Sequence, residues 1–329
     1  MKHRQLGTSG PSVSVVGYGA MSFTDFYGPA QDDSSLRMLD QCLDRGITHL
    51  DTSNVYGMGR SETVIGQWLK ARGGENPFVI ASKVGITRDP ERRFKNDPAH
   101  MAQELDGSLA RLGVEAIDLY YVHRREASIP IEEVTETLAG FVKAGKIKAI
   151  GFSEIAPSSL RRANAVHPVA AVQSEYSLWT RSPEMGLVQT CAELGVALVA
   201  FSPVGRGMLT DRPHDRAAAA QMPFLENSPR FMEPNISTNI ALSAPFRALA
   251  AEMGTTAAAL AIAWVIHKGD HIIPIPGTRH VSHLEELVEG GKLELSAEDM
   301  ARIEAVLPIG WAHGDRYSVG QWEGPERYC

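Results

Sequence analysis

Short runs rich in β-forming residues alternate with amphipathic helical runs, and the alternation repeats eight times along the 329 residues. The strand candidates are 14–19, 48–52, 78–83, 117–122, 147–152, 170–174, 196–201 and 271–275. The helical patterns that follow them are 33–45, 61–72, 99–112, 131–144, 157–165, 183–194, 255–268 and 281–289. Segment 131–144 shows the logic: Val134, Leu138, Phe141 and Val142 recur at helical spacing, Pro130 opens the run and Gly145 closes it. The run Ile-Asp-Leu-Tyr-Tyr-Val at 117–122 is the β-rich kind that a parallel strand covered on both faces requires. Eight such units predict an α/β chain closed into a (β/α)₈ TIM barrel rather than an open sheet. Arg4 to Val16 reads as an N-terminal β-hairpin turning at Gly7-Thr8-Ser9-Gly10-Pro11 and placed to plug the barrel floor. An extra C-terminal helix near 296–306 starts at Ser296-x-x-Asp299, a capping-box pattern. Residues 203–243 are rich in Pro and Asn without strong periodicity, so a long functional loop is expected there. With no linker in view, residues 1–329 are expected to form a single barrel domain.

Charge and cysteine usage narrow the function. A formal net charge of −7 argues against a broad nucleic-acid-binding face and still allows a local basic pocket for one phosphorylated ligand. Cys42, Cys191 and Cys329 are odd in number and far apart, which fits neither a disulfide framework nor a zinc site, so a reduced, cytoplasmic protein is expected. The opening residues have no apolar signal region. The longest apolar stretch, Thr255–Ile266, suits a buried helix better than a membrane span. The expected partner is a small molecule, not a nucleic acid or a membrane; the oligomeric state stays open. Metal is not expected: there is no HExxH, Gly269 and Asp270 break any helix between His267 and His271, and His280-x-x-His283 has no neighbouring ligands.

Barrel active sites lie at the carboxyl ends of the strands. Strand two ends in Leu50-Asp51-Thr52-Ser53 and runs on to Tyr56, strand three ends in Ser82-Lys83, and strand four ends in Val122-His123. Taken singly, Asp51 reads as a turn residue, Tyr56 as packing, Lys83 as a solvated cation and His123 as a core histidine. Together, on three consecutive strands, they form a coherent set. A tyrosine with an ordinary pKa of about 10 exchanges protons poorly at neutral pH. The Lys83 ammonium is expected to lower that pKa, Asp51 to hold the lysine charged, and His123 to polarise a carbonyl oxygen. Such a set can protonate an oxygen while hydride arrives at its carbon. For a nucleotide, Gly17-Tyr18-Gly19-Ala20-Met21-Ser22 is rejected as a dinucleotide fingerprint, because its third glycine is Ser and no acidic partner stands at the expected distance. Better candidates are Gly151-Phe152-Ser153-Glu154, Gln173, Phe201-Ser202-Pro203, and Pro276-Gly277-Thr278-Arg279 where a helix opens.

At these residues the chain resembles the aldo-keto reductase superfamily nearly end to end, in the style of its microbial and plant branches. The matching pieces are Gly17-Tyr18-Gly19-Ala20-Met21, Asp51-Thr52-Ser53-Asn54-Val55-Tyr56-Gly57, Ser82-Lys83, Asp118 to Arg124 and Ile150 to Glu154. Val172 to Ser177, Ala200 to Gly207 and Ile275 to Arg279 complete the set. The resemblance implies an NADPH-dependent carbonyl reductase with a tetrad of Asp51, Tyr56, Lys83 and His123, Tyr56 acting as the general acid. It implies that Ser153, Glu154 and Gln173 hold the carboxamide, with Phe201 stacked on the nicotinamide, and that Met21 and Asp51 are also cofactor contacts. Ser202, Pro203, Gly205, Gly207 and Leu209 are implied for the pyrophosphate. Gly277, Thr278, Arg279, His283 and Glu286 are implied for the adenosine phosphate end, Arg279 reading the 2′-phosphate. Phe23, Tyr56 and His123 are the expected substrate contacts, and specificity is expected to come from variable loops at 22–30, 124–130 and 310–329. The aromatics there, including Phe26, Tyr27, Trp311, Tyr317 and Trp322, suggest a cyclic or aromatic carbonyl. Three positions depart from the family pattern: Glu154 and Leu287, each where Asn is frequent, and Phe201, where Tyr is frequent. Two other readings stand beside the reductase: a barrel that binds nucleotide to sense or regulate, and an aldolase or isomerase forming a Schiff base on Lys83.

Overall fold

The computed structural model describes residues 1–87, 89 and 91–327. Two short strands, β1 (His3–Gln5) and β2 (Ser12–Ser14), pair antiparallel as the expected hairpin. Eight parallel strands follow: β3 (Tyr18–Gly19), β4 (His49–Asp51), β5 (Val79–Val84), β6 (Leu119–Val122), β7 (Ile150–Ser153), β8 (Ala171–Glu175), β9 (Ala197–Phe201) and β10 (Ile272–Pro274). Each pairs with its neighbour in sequence order. Backbone hydrogen bonds from Gly17 N to Pro274 O and from Gly19 N to Pro276 O, both 2.9 Å, join the first strand to the last and close the barrel. The seam needs glycine: a Cβ on Gly277 would lie 2.5 Å from Gly19 O.

The hairpin plugs the floor through its apolar residues. Leu6 and Val13 are fully buried in one cluster with Ala81, Leu119, Tyr121, Ala171, Val199 and Ile273, which line the strands. The hairpin turn is held from outside by Thr8 N donating to Gly195 O at 2.8 Å. The helices α1 (Asp32–Asp44), α2 (Arg60–Arg72), α3 (Pro98–Leu112), α4 (Ile131–Lys143), α5 (Pro157–Val166) and α6 (Leu187–Leu194) lie within a few residues of their predicted spans. The segment from 183 is a short 3₁₀ turn before α6 begins.

The long loop expected at 203–243 is only partly a loop. It contains a single-turn helix α7 (Arg216–Ala219) and the first half of α8 (Asn235–Glu252). Helix α8 hides from a periodicity reading because its buried stripe, Ile236, Asn239, Ser243, Phe246 and Ala250, contains two polar residues, and Pro245 sits in its interior. Asn239 is fully buried yet satisfied: it donates to Arg230 O at 3.2 Å and His313 O at 3.0 Å and accepts from His313 N at 2.8 Å. Helix α9 (Ala257–His267) starts at Thr256, whose hydroxyl caps Ala259 N, and is buried along nearly its whole length. Among the described residues, no single helix is long and apolar enough to cross a membrane. Helix α10 (Val281–Gly290) precedes α11 (Ala297–Val306), which opens with the anticipated reciprocal capping box of Ser296 and Asp299. Cys42 and Cys191 are buried free thiols, and Cys329 lies outside the described residues.

Candidate active site

Strand register brings the four candidate side chains together. Asp51 ends β4, Lys83 is the penultimate residue of β5, and His123 directly follows β6, so adjacent parallel strands present them at one barrel mouth. Tyr56 comes from the turn that leads into α2. Lys83 is fully buried, and its Nζ donates to Asp51 Oδ1, to Thr52 O at 2.8 Å and to Tyr56 OH at 3.4 Å. An ammonium has three N–H bonds, and all three have acceptors here. Tyr56 OH therefore accepts from lysine, and its own hydrogen stays available to another group. Asp51 Oδ2 accepts from Gln173 Nε2 at 2.7 Å, which fixes the carboxylate from the far side.

Burial works against the Lys83 charge, but Asp51 and Tyr56 outweigh it and carry its pKa above the ordinary lysine value. For Tyr56 the balance goes the other way from the expectation of a lowered pKa. Burial pushes its phenol up more than the neighbouring Lys83 pulls it down, so the net pKa lies above the ordinary tyrosine value. His123 is held well below the ordinary histidine value by burial and by the nearby Arg124 and Lys83 charges, so its imidazole is neutral. Its Nδ1 meets Ser53 Oγ at 3.1 Å, and its ring stands edge-on to Tyr56 with centroids 5.8 Å apart.

The residues implied for a nucleotide are spread along strands β7 to β10. Ser153 Oγ accepts from Arg124 at 3.1 Å, and Gln173 is tied to Asp51. Glu154 has a left-handed backbone (φ 57°) and a buried carboxylate. That carboxylate accepts from Ser174 Oγ at 3.0 Å, Glu175 N at 2.9 Å and Arg316 Nη2. Phe201, at the end of β9, is half-buried. Beyond it, Ser202 (φ 51°), Gly205 (61°), Arg206 (54°) and Gly207 (95°) crowd four left-handed residues into one tight loop. A Cβ at Gly205 would sit 2.6 Å from the Trp179 ring and one at Gly207 2.8 Å from His214, so both positions require glycine. Leu209 is fully buried in the core, leaving only its backbone for any ligand. Leu287 is likewise buried. Met21 lies in a short 3₁₀ turn after β3. At the mouth of β10, Thr278 Oγ1 accepts from His280 N at 3.1 Å, and the His280 and His283 rings stand 5.0 Å apart. Glu286, on α10, is raised above the ordinary carboxylate range by its partial burial. Arg279 is not free: its Nη1 donates to Gly28 O (2.5 Å) and Pro29 O (2.8 Å), and its Nη2 to Tyr27 O (2.5 Å). Among the described residues no group of three His, Cys, Asp or Glu side chains gathers as a metal site.

Residues 15–308 match the Aldo/keto reductase family. The chain belongs to that family. It is 38% identical over 96% of its length to "Probable aldo-keto reductase 1" of Glycine max, covering 92% of that protein. It is 36% identical over 96% of its length to "Aldo-keto reductase yakc [NADP(+)]" of Schizosaccharomyces pombe, covering 94% of it. Among solved structures it resembles a glycerol dehydrogenase from Gluconobacter oxydans with a TM-score of 0.80 and 27% identity, over 93% of this chain and 94% of that one. A holo aldo-keto reductase from Bacillus halodurans gives a TM-score of 0.76 and 25% identity, over 97% and 99% of the two chains.

Above this candidate site lies a roof of three segments. Phe26, from the loop after β3, stands edge-on to both Tyr56 (6.2 Å) and Phe224 (6.1 Å), and Phe224 N donates to Phe26 O at 3.2 Å. The Arg206 guanidinium lies 5.0 Å from the Phe224 ring and 5.4 Å from that of Tyr317. Tyr317 OH accepts from Arg124 at 3.3 Å. Phe23, expected to touch substrate, is instead enclosed in the core against Tyr18, because its short 3₁₀ turn points the ring inward; Phe26 is the aromatic beside Tyr56. Trp311 is also buried, donating to Leu178 O at 2.8 Å and packing on Trp179. Phe224 was missed by the sequence reading, as were the charged groups Glu175, Arg206, Arg230 and Arg316. Glu175 and Arg206 carried a signal, their places inside the matching pieces Val172 to Ser177 and Ala200 to Gly207.

Proposed function

We propose that this chain is an NADPH-dependent reductase that converts aldehydes or ketones to alcohols, with Tyr56 as the general acid. The observation that carries this reading is the fully used Lys83 ammonium between Asp51 and Tyr56. It orients the phenol so that its proton, not its lone pair, is available. A phenol with a raised pKa stays protonated through the neutral range, the state in which it can give its proton to a carbonyl oxygen. Neutral His123, with Nδ1 on Ser53, has Nε2 left to hydrogen-bond the same oxygen. The same lysine geometry counts against a Schiff base: Nζ has no free lone pair while it is charged and triply bonded to acceptors.

The tight left-handed loop at 202–207 supports a nucleotide site, since successive backbone N–H groups in such turns face an anion and the two glycines leave room for it. Bound NADPH supplies hydride. Ser153 and Gln173 hold its carboxamide, Phe201 stacks on its nicotinamide, and the backbone from Ser202 to Leu209 lines its pyrophosphate. Gly277, Thr278, His283 and Glu286 surround the adenosine end. Arg279 reads the 2′-phosphate with the N–H groups it has not committed to residues 27–29. Partly exposed loops of aromatic character fit a cyclic or aromatic carbonyl.

The test is NADPH oxidation by the purified protein against a panel of aldehydes, ketones and quinones, with the product assayed. The expected result is one alcohol formed per NADPH consumed. Tight NADPH binding with no turnover on any member would favour a nucleotide-sensing barrel, and a borohydride-trapped adduct on Lys83 would favour the aldolase reading.

A further inference from the structure

The C-terminal segment 316–326 is a closed loop whose two ends meet at one residue. At its start, the buried Arg316 guanidinium donates to the Glu154 carboxylate. At its end, Glu326 N donates to Glu154 O at 2.8 Å. Around that second contact, Ala156 N donates to Glu326 Oε2 at 2.8 Å, and Arg125 pairs with Glu326 Oε1. Glu154 is thus gripped through both side chain and backbone. Its remaining acceptor capacity goes to Ser174 Oγ and Glu175 N, so neither carboxylate oxygen is left uncommitted.

The loop so held is set against the chemistry. Gly324 packs so closely on the barrel that a Cβ there would lie 2.7 Å from Phe94 and 3.0 Å from the Arg124 stem. Arg124 in turn donates to His123 O at 2.6 Å and to Ser153 Oγ at 3.1 Å, and reaches Tyr317 OH. Within the loop, Tyr317 and Trp322 stand edge-on with centroids 5.6 Å apart, and the Arg316 guanidinium lies 4.5 Å and 4.7 Å from their rings. Glu154, one residue after Ser153, therefore anchors the tail whose aromatic pair reaches Arg124, the residue that follows His123.

We propose that Glu154 is a clasp: it positions the 316–326 loop as a wall of the substrate pocket, and is a positioning residue for substrate rather than a ligand of the cofactor. This rests on the reductase reading for its kinetic consequence, but its structural half does not. An Asn at this position has no charge to pair with Arg316, so the Glu154–Arg316 pair replaces a carboxamide contact with a tail contact.

The test compares wild type, Glu154→Gln, Arg316→Met and the double variant by backbone hydrogen exchange, NADPH affinity and steady-state kinetics. The expected result is exchange across residues 316–323 at least about tenfold faster in each single variant, KM for the carbonyl up about tenfold, and kcat and NADPH affinity within about threefold of wild type. The double variant should match the worse single one, because both break the same pair. Loss of NADPH affinity in Glu154→Gln with unchanged KM and unchanged tail exchange overturns the proposal and makes Glu154 a cofactor ligand. Additive effects in the double variant also overturn it. If Glu154→Gln does not fold, Arg316→Met alone carries the test: protected tail amides or an unchanged KM in that variant overturn the clasp. A wild-type protein that turns over no carbonyl defeats the reductase reading, while the exchange data still decide whether the clasp exists.

Discussion

The floor and the roof of the barrel mouth are built in different ways. On the floor, Asp51, Lys83, His123 and Gln173 stand on or directly after strands, and adjacent strands fix their spacing through the parallel ladder. Besides the closer Asp51–Lys83 pair, Gln173 meets Asp51 at 2.7 Å, Lys83 meets Thr52 O at 2.8 Å and Tyr56 OH at 3.4 Å, and His123 meets Ser53 Oγ at 3.1 Å. The roof has no strand. It consists of the loop after β3, the segment from Ser202 to Phe231 and the C-terminal tail, joined by aromatic edges, guanidinium faces and a few backbone hydrogen bonds. Five buried or half-buried charges tie it down: Glu154 and Glu175 against Arg206, Arg230 and Arg316. Cations outnumber carboxylates there, and Arg230 is pushed down to about 10, mainly by its burial. A rigid floor suits a fixed proton transfer, and a roof of loops suits a variable substrate.

Substitutions on the floor should therefore damage the chemical step, and those on the roof should damage binding. Lys83→Met is expected to lower kcat by about 10²–10⁴-fold, the range for losing an effective general acid. It also moves the pH profile in the oxidation direction, where Tyr56 must accept a proton and so must first ionise. Rate there rises as pH climbs toward the Tyr56 pKa. Removing the ammonium takes away the main influence lowering that pKa, so the rising limb shifts to higher pH. A profile that keeps its position would separate Lys83 from Tyr56 ionisation.

Arg279→Ala is the next largest expected effect and lies at the junction of the two regions. A charged hydrogen bond contributes ~1.5–3 kcal/mol, so NADPH affinity should fall about 10- to 150-fold while NADH affinity barely changes. Because Arg279 also holds the carbonyls of residues 27–29, KM for the carbonyl should rise along with it. Fluorescence titration of both cofactors checks the first expectation; equal losses for NADPH and NADH would remove Arg279 from the 2′-phosphate. Phe224→Ala gives the smallest effect. An aromatic pair contributes about 0.5–1.5 kcal/mol beyond its buried area, so KM for an aromatic aldehyde should rise roughly 2- to 12-fold with kcat little changed. A drop in kcat larger than the rise in KM would show that the roof reaches into the chemical step.

The same contrast explains what could be read from the sequence. The floor was legible because the βα alternation is periodic and the strand ends are where barrels keep their chemistry, so Asp51, Lys83 and His123 announced themselves by position. The Tyr56 pKa was misjudged because the charge of Lys83 is visible in sequence and the burial that outweighs it is not. The roof was largely illegible. Arg316 and Glu154 lie 162 positions apart with no pattern linking them. Phe23 and Phe26 look alike in a loop, and only the turn after β3 sends one ring into the core and the other to Tyr56. Helix α8 was lost because its buried stripe uses Asn239 and Ser243, whose partners come from distant segments or from its own backbone.

The central claim is that Tyr56 gives the proton, and replacing it by phenylalanine tests that most directly. The substitution removes one oxygen and leaves the ring that packs on Phe26 and His123. With a nonactivated ketone, Tyr56→Phe should lose about 10²–10⁴-fold in kcat, while NADPH affinity measured by fluorescence stays within about twofold of wild type. Retention of more than about a tenth of wild-type kcat under those conditions would contradict the account, since another group would then be supplying the proton.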